Sequence, residues 1–427
     1  MKSFFRNHYH WIIMAVMLLQ MGIHTGVANN NGLFLLPVCQ TLEISRSSFS
    51  LMLSLRSLTS FLVILFSGSL IRRFGYRKLA LVAFPIAIGG YMIYSWSQNL
   101  GMLCVGAIMD GLGQGFCGSA AVNRVLNDWF HKHRGKVMGI VSAASGFGGT
   151  LCTVMLSGAM NWGDWRSAYM LAAILIGGIL LLNILFVQDD PRKMALLPYG
   201  EGELHHEHKQ AKKKMEDFHQ GYSFQQLLRK PVFYLFLVVL VISFIAVYLP
   251  NTVIVPHMQD RGLTEEEAVS MQGIWLMMLA VAKIVCGVLI DRIGVRWTTV
   301  FCLACGAVSM WLLTTVMGYP AAFAVTTLYS FSLPIVTITI PVLTLDLFGY
   351  HSYVTAVGVF SAVVSIGSML ASPISNAMYD LQGDYTMIFR IGAIAMLLMI
   401  FGHILVYMLA DRDKKRWNME QVQKVNH

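Results

Sequence analysis

Four titratable residues stand where the sequence is otherwise continuously apolar: His24, Arg56, Asp110 and Lys283. A charge at the centre of a bilayer costs about 2.5–3.5 kcal/mol on insertion scales, so each such residue is a candidate site. A buried ammonium or guanidinium attracts an anion, whereas a buried carboxylate either neutralises a cation or carries a proton. His24 is the one deep group whose ordinary pKa lies near neutrality, which suits proton transfer as well as it suits a packing hydrogen bond.

The elements that must hold these residues follow from composition. Apolar residues make up 56% of the 427 and charged ones 12%, about half the charged share of a soluble domain. The apolar residues fall in blocks near 10–37, 47–71, 78–97, 101–122, 135–158, 167–187, 232–256, 268–290, 297–316, 321–343, 353–378 and 386–409. A membrane helix needs roughly 20 such residues, and only helices satisfy their own backbone in lipid. The expected fold is an all-α membrane protein of twelve transmembrane helices in two pseudo-symmetric six-helix bundles. The first block is too long for a signal h-region and carries His24, Asn29, Asn30 and Asn31 where a cleavage site would need small residues. It reads as a retained helix.

The longest polar stretch sets the organisation: an N-terminal bundle (1–187), a linker (188–231), a C-terminal bundle (232–410) and a tail (411–427). The net charge of +9 is concentrated in the linker, the tail and alternate loops. Arg46, Arg166, Arg261 and Arg390 are the arginines left on the other side. This positive-inside bias places both termini in the cytoplasm and accounts for the basic balance without nucleic acid. The HHEH run at His205–His208 reads as solvated loop, with metal binding as the alternative. The seven cysteines lack metal-ligand spacing; Cys302 and Cys305 form a CxxC inside an apolar block, where packing is the simpler role.

The halves repeat. GSLIRRFGYRK (Gly68 to Lys78) returns as GVLIDRIGVRW (Gly287 to Trp297), an offset of 219 residues. Gly68, Arg73, Gly75 and Arg77 in the first copy answer Gly287, Arg292, Gly294 and Arg296 in the second, with Asp291 where the first copy has Arg72. This element resembles the loop motif of the major facilitator superfamily, which implies close helix approach at the glycines and a charged gating latch on the inner face. The run NDWFHKHRGKVMGIVSAASGFGG (Asn127 to Gly149), after GLGQGF at Gly111, is similar to runs in the monocarboxylate transporters and oxalate/formate antiporters. SIGSMLASPISNAMYDLQGDY (Ser365 to Tyr385) resembles their eleventh helix and outer loop.

That resemblance gives the deep residues expected roles. AVAKIVCG (Ala280 to Gly287) is similar to the eighth-helix segment in which those carriers keep an anion-binding arginine, so Lys283 is the expected substrate ligand. Lys283 lies eight residues before Asp291, roughly 12 Å from the inner loop at 1.5 Å per residue. Leu279 stands where the mammalian pattern has an acid, and Ala107 where many proton antiporters have an arginine. Arg56 shares a stripe with Ser60 and Ser67, and counts back to roughly 24 Å above the inner loop. It has two readings: a second cation bracketing a longer substrate, or an outer gate. Asp110 pairs with a cation or carries the proton. Asn30 is a polar contact to substrate or an outer cap. Tyr329, on a tenth helix that faces the cavity in the superfamily, is a substrate contact or core aromatic.

The expected function is secondary transport of a small organic anion such as lactate, pyruvate or formate. Proton coupling through His24 or Asp110 leads; carboxylate exchange, including dicarboxylates, is the alternative. A transport-dead sensor is the remote one. No nucleotide-binding loop, metalloprotease helix or nucleophile elbow appears, so no cofactor and no enzymatic activity are expected. The expected partners are substrate, a proton or counter-substrate, and the lipid of a bacterial cytoplasmic membrane, with the chain acting as a monomer. A reporter fused within 195–225, and another at the C-terminus, should both read cytoplasmic; an exterior signal from either overturns the span count.

Overall fold

The computed structural model describes residues 8–130, 134–189, 191–194, 196–200, 224–349 and 352–425. The His205–His208 run lies outside them. The first crossing consists of α1 (Tyr9–Asn29) and α2 (Asn31–Leu42), parted at Asn30. Crossings two to six are α3 (Arg46–Phe74), α4 (Tyr76–Trp96), α5 (Leu100–Cys117) with its extension α6 (Ser119–Trp129), α7 (Arg134–Trp162) and α8 (Trp165–Phe186). The second bundle holds α9 (Pro231–Tyr248), the short α10 (Ile254–Asp260) and α11 (Glu265–Leu313). It continues with α12 (Tyr319–Ser330), a π-helical turn (Ile335–Thr339), α13 (Ile340–Phe348), α14 (Tyr353–Gln382) and α15 (Thr386–Val425). We call the end that carries both termini the terminal face and the opposite end the distal face.

Among the described residues, eleven helical stretches are long and apolar enough to cross a bilayer. One of them, α11, has 49 residues. Straight, it would run roughly 74 Å, more than twice a hydrocarbon core of about 30 Å. It does not run straight. Gly294 leaves the helical region at φ 82°, ψ 160°, so α11 doubles back as two crossings and the total is twelve.

Gly75 turns the chain between α3 and α4 with nearly the same geometry, φ 83° and ψ 153°. The two glycines close the two copies of the sequence repeat, and both stand in a region that side chains adopt only with strain. The repeat's closing arginines then tie each hairpin to the last helix of its own bundle. The backbone N–H of Arg77 donates to Asp189 Oδ1 at 2.6 Å and its guanidinium to the Ile184 carbonyl at 2.8 Å. Arg296 Nη1 lies 3.7 Å from Asp411 on α15.

The other charges of the motif make fewer contacts. Asp291 and Arg292 are exposed and, among the described residues, make no ion pair with the other bundle. Arg73 lies over its neighbour Phe74 with 5.3 Å to the ring centroid. Gly287 faces open space, and the surroundings of Gly68 lie outside the described residues. Among the described residues, the motif charges that do find partners, Arg77 and Arg296, find them within their own bundles.

Within the bundles, glycines bring backbones into contact. A Cβ on Gly26 of α1 would lie 2.9 Å from the Gly148 backbone of α7, and one on Gly90 of α4 would lie 2.9 Å from the Gly106 carbonyl of α5. Close approach of this kind lets dispersion hold helices together where lipid removes the hydrophobic drive. Of the cysteines, Cys302 faces Cys286 across the α11 hairpin with the sulfurs 3.6 Å apart, and all seven are free thiols.

Replacing Gly294 with Ala forces a side chain into the strained region, at about 1–3 kcal/mol. Gly75→Ala should cost more, because the new Cβ would fall on the Asp189 carboxylate. Thermal unfolding of the purified variants should rank parent, then Gly294→Ala, then Gly75→Ala; equal midpoints would contradict the hairpin geometry.

Candidate substrate and coupling site

Glycine packing decides where the first deep cation points. A Cβ on Gly111 of α5 would come 2.5 Å from the Arg56 carbonyl of α3, so these two helices touch backbone to backbone. Across that contact Arg56 Nε lies 2.7 Å from Asp110 Oδ2, a charge contact whose N–H is off the line of a hydrogen bond. The side chains are 12% and 3% exposed. Tyr91 and Tyr94 of α4 and Tyr169 of α8 close around the pair, with Tyr94 and Tyr169 stacked at 4.9 Å and Phe34 stacked on Tyr169 at 3.9 Å.

This polar cage lies inside the first bundle and is incompletely satisfied. Among the described residues, Asp110 Oδ1, Tyr94 Oη and Tyr169 Oη have no hydrogen-bond partner, and neither ring nitrogen of His24 has one. His24 is buried, its ring edge-on to Phe84 at 5.9 Å. The sequence carried the charges of this cage but not its tyrosines, which read as ordinary aromatic residues of apolar helices.

Lys283 sits elsewhere. The first arm of α11 crosses α7 where a Cβ on Gly146 would meet the Leu276 carbonyl at 2.7 Å. From there the Lys283 ammonium reaches across the seam and donates to Ser145 Oγ at 2.9 Å and the Ser142 carbonyl at 3.2 Å. Among the described residues no carboxylate pairs with it. It is a buried cation held by neutral oxygens alone.

Two other expected ligands are committed to packing. Asn30 donates to the carbonyls of Gly26 and Gly149 at 2.8 and 3.0 Å, and its Oδ1 accepts from Thr153 at 2.7 Å, so its amide is filled by the α1–α2 break. Tyr329 is fully buried beneath Trp275 and its hydroxyl donates to the Val247 carbonyl at 2.8 Å. In this state neither presents a free polar atom to a ligand.

The residues that join the bundles were not singled out by type. Arg46 Nη1 and Nη2 donate to the two Asp260 oxygens at 2.9 and 3.2 Å, and Nη1 to Tyr385 Oη at 3.0 Å. The guanidinium also lies 3.5 Å over the Tyr379 ring. Tyr385 passes the chain on to Asn376 Oδ1 at 2.7 Å, and Asn376 donates to Ser50 Oγ at 2.7 Å. Burial raises the Tyr385 hydroxyl above its ordinary value, against the lowering pull of Arg46, so it stays a neutral donor. Ser54 donates to the Met369 carbonyl at 2.7 Å further along the same seam. A sequence signal existed: Ser47, Ser50 and Ser54 on α3 face Ser372 and Asn376 on α14, short polar residues at helical spacing.

The contacts between the bundles share one property. Among the described residues, every hydrogen bond that crosses the seam lies at the level of Lys283 or distal to it. On the terminal side of that level, Gly139 of α7, Gly287 of α11 and Gly358 of α14 have open space where a Cβ would stand.

Two six-helix bundles that meet at a seam, with a buried cation at mid-depth, define a membrane transporter. The sequence matches the Major Facilitator Superfamily profile over residues 11–281 and 239–425, and the chain belongs to that family. It is 19% identical over 434 residues to monocarboxylate transporter 2 of Mesocricetus auratus, covering 98% of this chain and 88% of that one. Monocarboxylate transporter 11 of Homo sapiens is 23% identical over 88% of this chain and 78% of its own length. An uncharacterised MFS-type transporter of Bacillus subtilis (strain 168) is 23% identical over 38% of this chain, and the match spans 40% of that relative's length. Among solved structures, a point mutant of the nucleoside transporter NupG superposes with a TM-score of 0.74 over 93% of this chain and all of that one, at 10% identity. That likeness concerns the fold.

The Arg56–Asp110 geometry makes a specific demand. Removing one partner of a buried pair costs about 3–5 kcal/mol, while replacing both by apolar residues is often close to neutral. Asp110→Asn should therefore destabilise the purified protein strongly, and Arg56→Leu/Asp110→Leu should recover most of the loss. A double variant no more stable than Asp110→Asn would mean that the cage does more than neutralise Arg56.

Proposed function

We propose that this chain is a secondary active transporter of small monocarboxylates such as lactate, pyruvate or formate, moved together with a proton by alternating access. The observation that carries the reading is Lys283, a buried ammonium whose partners are a serine hydroxyl and a backbone carbonyl. A buried charge without a counter-charge is costly, and a bound carboxylate removes that cost. Relatives named monocarboxylate transporters, aligned along nearly the whole chain, support the substrate class. Arg56 is already neutralised by Asp110, which leaves Lys283 as the deep cation free to take an anion and favours a single charge over a dicarboxylate.

The mechanism follows from where Lys283 is anchored. Among the described residues, its bonds to Ser142 and Ser145 are the hydrogen bonds of the seam nearest the terminal face. A carboxylate arriving from the terminal side takes the ammonium from those oxygens and loosens the seam at its inner limit. The distal contacts around Arg46 must then part for the opposite opening to form. In this reading bundles 1–187 and 232–410 rock against each other, and the terminal face is cytoplasmic. The chain acts as a monomer in a cytoplasmic membrane. His24 and the free Asp110 oxygen are the proton-carrying candidates, since both are buried without a hydrogen-bond partner among the described residues.

The test uses purified protein in proteoliposomes with labelled lactate, pyruvate, formate, oxalate and succinate, with and without a pH gradient. Lys283→Gln should bind monocarboxylates more than a hundredfold more weakly, as expected for about 3–5 kcal/mol. Lys283→Arg should retain part of the activity, because charge is kept while shape changes. Ser145→Ala removes a competitor worth about 1 kcal/mol and should tighten binding several-fold. A folded Lys283→Gln protein that binds every carboxylate as tightly as the parent would refute the anion reading. Uptake indifferent to the pH gradient but driven by internal carboxylate would replace symport with exchange.

A further inference from the structure

The two seams between the bundles are unequal, and Lys283 belongs to the sparser one. On one side α3 and α14 are joined through Ser54, Ser50 and Ser47. On the other, among the described residues, α7 and α11 are hydrogen-bonded through Lys283 and through Thr150, which donates to the Gly273 carbonyl at 3.0 Å. Distal to the Thr150 bond the two helices part around a cavity of about 1000 Å³. Thr150, Thr153, Ser157 and Ser270 put hydroxyls in its wall, and its inmost residue on α11, Met277, is six residues from Lys283, roughly 9 Å. On the terminal side Gly287 stands one turn from Lys283 on the same face of α11, with open space where a Cβ would be. Only a short stretch of packing parts Lys283 from open space on either side.

Among the described residues no ionisable neighbour acts on the charge of Lys283. From α7 it meets Ser142 and Ser145. Titratable groups on the other elements packed against α11 are engaged elsewhere. Tyr329 of α12 donates to the Val247 carbonyl, Asp346 of α13 accepts from Tyr407 of α15, and His403 of α15 lies edge-on to Tyr407. Asp260 and His257 of α10 are held distally by Arg46 and the Leu313 carbonyl, and Cys286 faces Cys302 within the hairpin. Relative motion of the bundles breaks both bonds of Lys283, and an isolated buried ion sheds its charge rather than stay bare. Its two partners suit either form. The Ser142 carbonyl accepts from ammonium or amine, while Ser145 Oγ accepts from the ammonium and is able to donate to the lone pair of the amine.

We propose, on the footing that Lys283 holds the carboxylate, that the co-transported proton is carried by Lys283 itself. Once the carboxylate has left on the terminal side, the ammonium gives one proton to water, and the neutral amine returns with the empty carrier. On the distal side the amine takes a proton from water and then binds a carboxylate, so that anion and proton cross as one neutral pair. His24 and Asp110 lie inside the first bundle, and among the described residues neither makes a polar contact across the seam. With the proton on the substrate's own ligand, no relay between separate sites is needed.

The experiment uses the full-length protein with lactate as the probe. In alkaline, weakly buffered detergent solution, lactate binding to the parent should take up about one proton per chain, read with a pH indicator. The ammonium is the binding form and rising pH removes it, so lactate affinity should fall by about tenfold per pH unit at the alkaline end. Arginine does not shed its charge, so Lys283→Arg should bind lactate without proton uptake and with an affinity independent of pH. In proteoliposomes that variant should exchange lactate for lactate yet fail to accumulate it from an acidic exterior, where the parent does. Proton uptake on binding, or uphill accumulation, by Lys283→Arg would overturn the assignment. So would a parent that binds lactate in alkaline solution without taking up a proton, a measurement that stands even if Lys283→Arg does not fold. A folded Lys283→Gln protein that binds lactate as tightly as the parent would remove the carboxylate reading on which the assignment rests.

Discussion

A chain in hydrocarbon has no solvent to satisfy its peptide groups, and every other feature of this protein is arranged around that constraint. Among the described residues, twelve helical crossings answer it internally. What remains for sequence to vary is how closely helices approach and which side chains they enclose. The glycines at 26, 90, 111 and 146 set the first by removing the one atom that would keep two backbones apart. The enclosed groups follow from it: Arg56 meets Asp110 because Gly111 lets α5 lie on α3, and Lys283 reaches Ser145 because Gly146 lets α7 lie on α11.

The same packing separates two kinds of buried charge. Arg56 and Asp110 belong to one bundle and need not part when the bundles move, so their pairing is compatible with a permanent structural role. Lys283 belongs to one bundle and its partners to the other, so relative motion must break its bonds. A serine hydroxyl and a carbonyl hold an ammonium far less tightly than a carboxylate does. That weakness is what a moving interface requires: a carboxylate from the opposite bundle in place of Ser145 would lock the seam.

The fold was legible because its signals are local and repeated. Apolar block length marked the crossings, and the eleven-residue repeat marked the two turns that Gly75 and Gly294 make with matching dihedrals. Asp110 was readable as a partner for a cation, though not for which one, since spacing along two helices does not give their rotation about their axes. Asn30 and Tyr329 looked like ligands for the same reason. An amide and a phenol in apolar helices serve a substrate or a neighbouring carbonyl equally well, and only packing decides that Gly149 and Val247 take them. Arg46 escaped notice because a charge at a helix start reads as loop, while its partners lie on segments more than two hundred residues away.

The unequal seams follow from that same division between local and distant information. An Arg46–Asp260–Tyr385 cluster closes one side with charge and hydrogen bonds, so that side depends on few, directional contacts. Among the described residues the other side has no such cluster beyond Thr150, and its cavity wall mixes aliphatic residues such as Val154 and Ile274 with hydroxyls such as Thr153, Ser157 and Ser270. Directional contacts open only when their geometry is broken, whereas a side with fewer of them changes width at a smaller cost. Two bundles joined this way have a stiff edge and a compliant one. Their rocking is therefore expected to hinge about the α3–α14 seam early in the cycle, with the α7–α11 seam, which carries Lys283, taking up the first displacement.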